Sequence, residues 1–229
     1  MQHTLKRILF VVTSTEMIGP NNRPSGYEFS EVAHPYLVFI ANGHRVDFAS
    51  VKGGRPPKDG FNAKDSASAI FRDSTAFVEL NQSKKLDEID VDLYDAIFFP
   101  GGLGPMVDML HNPAVKKTIA YFYETDRVVG AVCHGPVALL NVKLSDGTLL
   151  LERKKVAAFT TSEEIGHSEH DVPFMLDAEM IKQGAVHTHA NPFERHVVVD
   201  GLLVTGQNPA SASGVAQEMA NLFIDHKRN

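Results

Sequence analysis

The stretch Arg127-Val128-Val129-Gly130-Ala131-Val132-Cys133-His134-Gly135-Pro136 decides the fold. Residues 127–132 form a nearly unbroken, valine-rich apolar run. Such runs are strands buried on both faces of a parallel sheet. Pro136, followed by Val137-Ala138-Leu139-Leu140, opens a predicted helix, since proline is tolerated in a first turn. A buried strand therefore turns into a helix within one residue of Cys133. Small residues at both second neighbours, Ala131 and Gly135, let the chain bend sharply. This is the layout of a nucleophile elbow, with cysteine where hydrolases carry serine. It predicts a thiol at the strand tip beside a helix N-terminus, whose partial positive charge lowers the thiol pKa. A lone free cysteine is more often a buried structural residue; the strand–Cys–His–Gly–Pro–helix context argues for the reactive one. His134 is then a polarising partner or proton shuttle, and its backbone N–H is an oxyanion donor.

Working outward, Arg7–Thr13, His44–Ser50 and Asp95–Phe99 read as further buried strands, and residues 156–160 as a short one. His196–Gly206 reads as two strands around an Asp200-Gly201 turn, a hairpin signal. Helices are expected within 26–43 (stopped by Gly43), over 113–126, over 171–183 (stopped by Gly184) and over 209–226. Residues 14–25 and 52–65 read as loops, and 66–94 hold short helices that the pattern does not place. Strands alternating with helices predict a largely parallel α/β helix–sheet–helix sandwich with a β-hairpin near the C-terminus. Ligands bind such sheets at the carboxyl ends of the strands. Three unusual loops fall there: Gly101-Gly102, Cys133 and Glu163-Glu164. The Gly101-Gly102 turn can supply a second oxyanion donor, because glycine lets backbone approach closely.

Composition bounds the partners. The chain has 229 residues, 22 Lys+Arg against 28 Asp+Glu and a net charge of −6. An acidic chain is a poor candidate for holding phosphate backbones, so no nucleic-acid partner is expected. The apolar run Ile8–Thr13 is too short for a signal segment, and no stretch reaches the 18 or so apolar residues that a membrane span needs. With one cysteine, Cys133, no intrachain disulfide forms. The expectation is a soluble cytoplasmic protein, one domain over 1–229. His167-Ser168-Glu169-His170-Asp171 and His187-Thr188-His189 could ligate metal, but 11 histidines make such coincidences common; no metal site is expected. Gly101-Gly102-Leu103-Gly104 is not a dinucleotide fingerprint, lacking the third glycine and its helix register.

Ala131–Pro136, together with Phe99-Pro100-Gly101-Gly102, resembles the ThiJ/PfpI superfamily of flavodoxin-like cysteine proteins, which share the class I glutamine amidotransferase-like fold. Gly26–Tyr36, Phe159–Glu164 and Leu203–Ser211 point to the branch that holds glutathione-independent glyoxalase III and heat-shock holdase chaperones. The resemblance spans about residues 6 to 225. It implies Cys133 as nucleophile, His134 as its partner and Glu164 as the acid orienting that histidine, with Glu163 the rival in an adjacent register. It implies Glu31 as the carboxyl held against the sulfur, Glu28 fitting that register less well, and Gly102 and His134 as oxyanion donors. A buried carboxyl beside a thiolate keeps its proton, because two anions do not share a dry site cheaply. The implied activity is conversion of a 2-oxoaldehyde such as methylglyoxal to a 2-hydroxy acid, without metal or organic cofactor, in a homodimer. The chain lacks room for the extra lid segments of the larger chaperone members. An intracellular cysteine peptidase, amidase or protein deglycase would use the same set of residues. A holdase chaperone or a redox sensor built on Cys133 is the non-enzymatic alternative. A glutamine amidotransferase is disfavoured because His187, His189 and His196 lack the needed His-x-Glu spacing.

Overall fold

The computed structural model describes residues 5–225; residues 1–4 and 226–229, with the last residue of the helix expected over 209–226, lie outside that range. Seven strands form one sheet: β1 (Arg7–Val12), β2 (Arg45–Ser50), β3 (Lys84–Lys85), β4 (Ala96–Phe99), β5 (Val128–Val132), β6 (Val197–Asp200) and β7 (Leu203–Gly206). Their spatial order is β6-β7-β5-β4-β1-β2-β3. All pairings are parallel except β6 with β7, where Val197 lies opposite Gly206 and Asp200 opposite Leu203. The chain is thus the expected mostly parallel α/β sandwich with a C-terminal hairpin.

The unbroken apolar strands are explained by two cores. In β1, Leu9 and Val11 point into one, Ile8, Phe10 and Val12 into the other. The first core is completed by α4 (Pro105–Asp108), α5 (Pro113–Glu124) and α7 (Leu176–Lys182). The second is completed by α1 (Phe29–Ala41), α2 (Ser66–Arg72), α3 (Thr75–Leu80) and α8 (Ala212–Asp225). Each large apolar side chain buried this way contributes about 1.5–3 kcal/mol. Phe10 meets Phe39, Phe48 and Phe98 in that second core. Among the described residues no helix is long and apolar enough to cross a membrane.

α1 breaks the pattern once: its buried face includes Glu31 among Phe29, Val32, Ala33 and Phe39. Glu28 caps that helix, its carboxylate accepting from the Ser30 N–H at 3.4 Å. Tyr27–Glu28 also pairs with Lys58–Asp59, so a strap from residues 52–65 lies over the start of α1. Lys58 fastens it, its Nζ standing 5.2–5.3 Å from the ring centres of Phe29, Phe61 and Phe77.

Four expectations are corrected. The segment after Cys133 is a 3-10 turn, Gly135–Leu139, with every residue buried, and not an α-helix. Lys116 closes it, donating to the carbonyls of Ala138 at 2.8 Å and Val137 at 3.4 Å. The strand expected over 156–160 shrinks to Lys155–Val156, paired with Val186–His187 outside the main sheet. Beyond it the N–H groups of Ala157, Ala158 and Phe159 donate to Thr205 Oγ1, His187 Nε2 and the Cys133 carbonyl, so no ladder forms. The helix expected over 171–183 begins only at Leu176, because Pro173 disfavours helical backbone before it and Asp171 is held by Arg23 at 3.0 Å. The loop 14–25 contains a short antiparallel pair, Met17–Ile18 with Arg23–Pro24. Residues 66–94, unplaced by pattern, supply α2, α3, two 3-10 turns and the edge strand β3.

Candidate active site

Cys133 sits where β5 ends, in the left-handed region at φ 61°. A β-carbon makes that conformation costly, by about 1–3 kcal/mol, so it persists only where the surroundings enforce it. They do so from both sides: the Cys133 N–H donates to the Gly206 carbonyl at 2.9 Å, and its own carbonyl accepts from the Phe159 N–H at 2.9 Å. The side chain is only 4% exposed, yet it lines the floor of a cleft of about 320 Å³. Gly102, His134, Glu28 and Glu31 line the same cleft.

The sulfur has an imidazole on one side. Cys133 Sγ lies 3.4 Å from His134 Nδ1, and His134 Nε2 lies 2.9 Å from Glu164 Oε2. Ser168 Oγ donates to the other Glu164 oxygen. Burial pushes the Glu164 carboxyl up, but the His134 and Ser168 hydrogen bonds and the His134 charge outweigh it and hold it below the usual carboxylate range. Glu164 is therefore the acceptor and Nε2 the donor to it, which leaves Nδ1 facing the thiol.

On the other side stands Glu31, fully buried. Its Oε2 accepts from the Gly101 N–H at 2.6 Å, while its Oε1 is buried without a hydrogen-bond partner. Burial, then the nearby Glu28 charge, push the Glu31 carboxyl well up, against smaller opposing contributions from Gly101 and Cys133. Protonated at Oε1, it becomes a donor beside the sulfur. Gly101 must be glycine, because a β-carbon there would stand 2.7 Å from the His134 nitrogen and 2.8 Å from Glu31 Oε2. Gly102 follows at φ 86°, its missing β-carbon making room for the Gly26 carbonyl.

The expected lowering of the Cys133 thiol pKa does not arise. The following turn is five residues of 3-10 geometry and offers little dipole. Burial pushes the thiol well up, and an ionised Glu31 pushes it further; the His134 backbone N–H acts the other way. A neutral Glu31 therefore leaves the thiol easier to ionise than a charged one.

Glu163, the adjacent-register rival, is committed elsewhere. It forms a capping box with Thr160 at the start of α6 (Thr161–Glu164). It also accepts from the Phe193 N–H at 2.7 Å and from Asn208 Nδ2 at 2.8 Å. Glu28 comes to the cleft as well, although its register fits less well; burial raises its pKa too. Sequence reasoning missed Arg23, Asp59, Gly60, Phe159, His167 and Phe193, which also line the cleft. They come from five separate stretches of the chain, which meet only in the fold. Phe159 stacks on His134 at 4.5 Å between ring centres. Among the described residues no cluster of three His, Cys, Asp or Glu side chains could hold a metal ion; His187 and His189 stand with ring centres 6.1 Å apart.

Glyoxalase 3 of Candida albicans is 29% identical over 231 residues, covering 95% of this chain and 98% of its own. The crystal structure of glyoxalase III from Candida albicans matches with a TM-score of 0.85 and 28% identity, over 96% of this chain and 98% of that one. The X-ray structure of the Rapid Encystment Protein 24 KDa of Francisella tularensis matches with a TM-score of 0.91 and 32% identity, over 96% of this chain and 99% of that one. The family model described as the DJ-1/PfpI family matches residues 24–222, and the chain belongs to that family.

Proposed function

We propose that this protein is a glutathione-independent glyoxalase that adds water to a 2-oxoaldehyde such as methylglyoxal and releases a 2-hydroxy acid such as lactate. The observation that carries the reading is the buried Glu31 carboxyl beside Cys133, its Oε1 without a partner. A peptidase works with the cysteine and histidine; a second, buried carboxyl beside the sulfur suits a reaction that moves a proton between adjacent carbons. The curated relatives named as glutathione-independent glyoxalases support the same reading.

In this proposal His134 Nδ1 takes the thiol proton and Cys133 Sγ bonds to the aldehyde carbon, giving a hemithioacetal. Backbone N–H groups of Gly102 and His134 steady the oxyanion until it is protonated. Glu31 gives the oxyanion its proton, and the carboxylate so formed removes the proton from that carbon and returns one to the neighbouring carbonyl carbon through an enediol, the oxygen protons passing by way of His134. The result is a thioester of the 2-hydroxy acid. Water cleaves it, regenerating the thiol. One water is consumed, and the oxidation of one carbon is balanced by reduction of its neighbour, so no outside oxidant is needed. Glu164 holds the imidazole in orientation throughout.

Residues 1–229 as one domain, a homodimer and a cytoplasmic location complete the proposal. They rest on the single seven-stranded sheet, the family resemblance and the lone cysteine. Cys133→Ala should abolish lactate formation from methylglyoxal without glutathione; full activity in that variant overturns the scheme. Light scattering on the eluting protein tests the dimer.

A further inference from the structure

Phe193 combines three features that ordinary packing does not explain. It is 58% exposed, it occupies the left-handed region at φ 63°, and it lines the mouth of the cleft. A bulky residue is strained there, and this one gains little burial in return. The strain is nevertheless enforced. The Phe193 N–H donates to Glu163 Oε1 at 2.7 Å, and that fully buried carboxylate is itself held by Thr160 and Asn208. A turn from Asn191 to Glu194 closes behind it, N–H to carbonyl at 3.1 Å. Strain that the surroundings over-determine, with the side chain aimed at a site, points to a role in that site.

The ring continues a wall that starts at the reactive group. Phe159 covers His134, and Phe193 meets Phe159 edge-on, 6.2 Å between centres at 65°. Leu103 and Pro209 extend the apolar lining. Glu28 and Asp59 also line the cleft, where the charge of Arg23 is taken up by Asp171 at 3.0 Å, so the lining disfavours an anionic substituent. At about 320 Å³ the cleft exceeds what a three-carbon dicarbonyl fills, and it reaches the size range of sites for larger organic ligands. With the aldehyde carbon fixed at Cys133 Sγ, the substituent on the second carbonyl carbon extends into this remaining space.

We infer that Phe193 is a specificity-determining wall, and that the site favours uncharged 2-oxoaldehydes with an aromatic or branched apolar substituent over methylglyoxal. The inference rests on the glyoxalase reading. Its test is kcat/KM for phenylglyoxal and methylglyoxal in wild type, Phe193→Ala and Phe193→Gly. The wild type should favour phenylglyoxal. In both variants the phenylglyoxal-to-methylglyoxal ratio should fall about tenfold, chiefly through KM for phenylglyoxal. Phe193→Gly adopts positive φ freely, so its melting temperature should equal or exceed that of the wild type. That separates loss of the wall from loss of fold. A wild type that favours methylglyoxal, or a ratio unchanged in both variants, overturns the inference and leaves the glyoxalase standing. Turnover of neither substrate by the wild type removes both.

Discussion

Glu31 and Cys133 line one cleft and are both buried, one carboxyl and one thiol in a site too dry for two charges. Gly101 holds Glu31 Oε2 at 2.6 Å, and Oε1 is left without a partner. Glu31→Gln keeps the shape and mimics the neutral acid, but it cannot exchange a proton. Turnover should fall by about 10²–10⁴-fold while the fold survives. Steady-state rates of product formation measure this.

The same residue predicts a stability profile. The folded-state pKa of Glu31 lies well above its ordinary 4.5. Above pH 4.5 the folded chain therefore binds more protons at this site than the unfolded one. Its contribution is fully present below 4.5 and is lost as pH rises through the folded pKa. Denaturant midpoints of wild type minus Glu31→Gln should fall steadily with rising pH above 4.5. A flat difference contradicts the buried neutral acid.

Lys116 predicts the opposite slope. Burial lowers its pKa from 10.5 to about 7. Between those values the unfolded chain holds the extra proton, so stability at this site rises with pH. Wild type minus Lys116→Met, measured by denaturant unfolding from pH 7 to 10, should climb; no climb shows the amine to be solvated.

Neighbouring glutamates should separate cleanly. Glu164→Gln removes the anion that fixes the His134 tautomer, and activity should drop by about 10²–10⁴-fold with a smaller change in stability. Glu163→Gln weakens a carboxylate that accepts from Thr160, Phe193 and Asn208. It should cost about 1–3 kcal/mol in unfolding free energy. Rates and urea midpoints for both variants decide the matter; equal loss of rate with equal stability contradicts the division of labour.

Gly101→Ala forces a β-carbon against the His134 nitrogen, Glu31 and Cys133 together. We expect about 1–3 kcal/mol of destabilisation and a loss of activity larger than Gly43→Ala produces, since alanine at Gly43 is strained by its φ of 76° but its β-carbon meets nothing within 4 Å and lies away from the cleft.

How much of this was legible follows from where each signal is stored. β1, β4 and β5 announce themselves because burial on both faces demands unbroken apolar runs. The segment 157–159 does not, because its N–H groups go to a hydroxyl, an imidazole and the Cys133 carbonyl rather than to a strand. The 3-10 turn after Cys133 looks helical in sequence, since Val137, Ala138 and Leu139 are apolar in either geometry. The motifs that carry the family resemblance single out Cys133, His134, Glu164 and Glu31 as candidates, and the fold brings these four together. Arg23, Phe159, His167 and Phe193 were not, for they meet only when distant loops converge at the strand ends. The direction of the thiol pKa failed for a related reason: helix dipoles can be guessed from sequence, whereas burial beside Glu31 depends on the tertiary fold.

Acid-quenched mass spectrometry of Glu31→Gln mixed with methylglyoxal tests the central claim most directly. The account predicts a mass gain of one dicarbonyl, mapped to the peptide that carries Cys133, accumulating because the next proton transfer is blocked. Product formed at the wild-type rate with no adduct on Cys133 would contradict it.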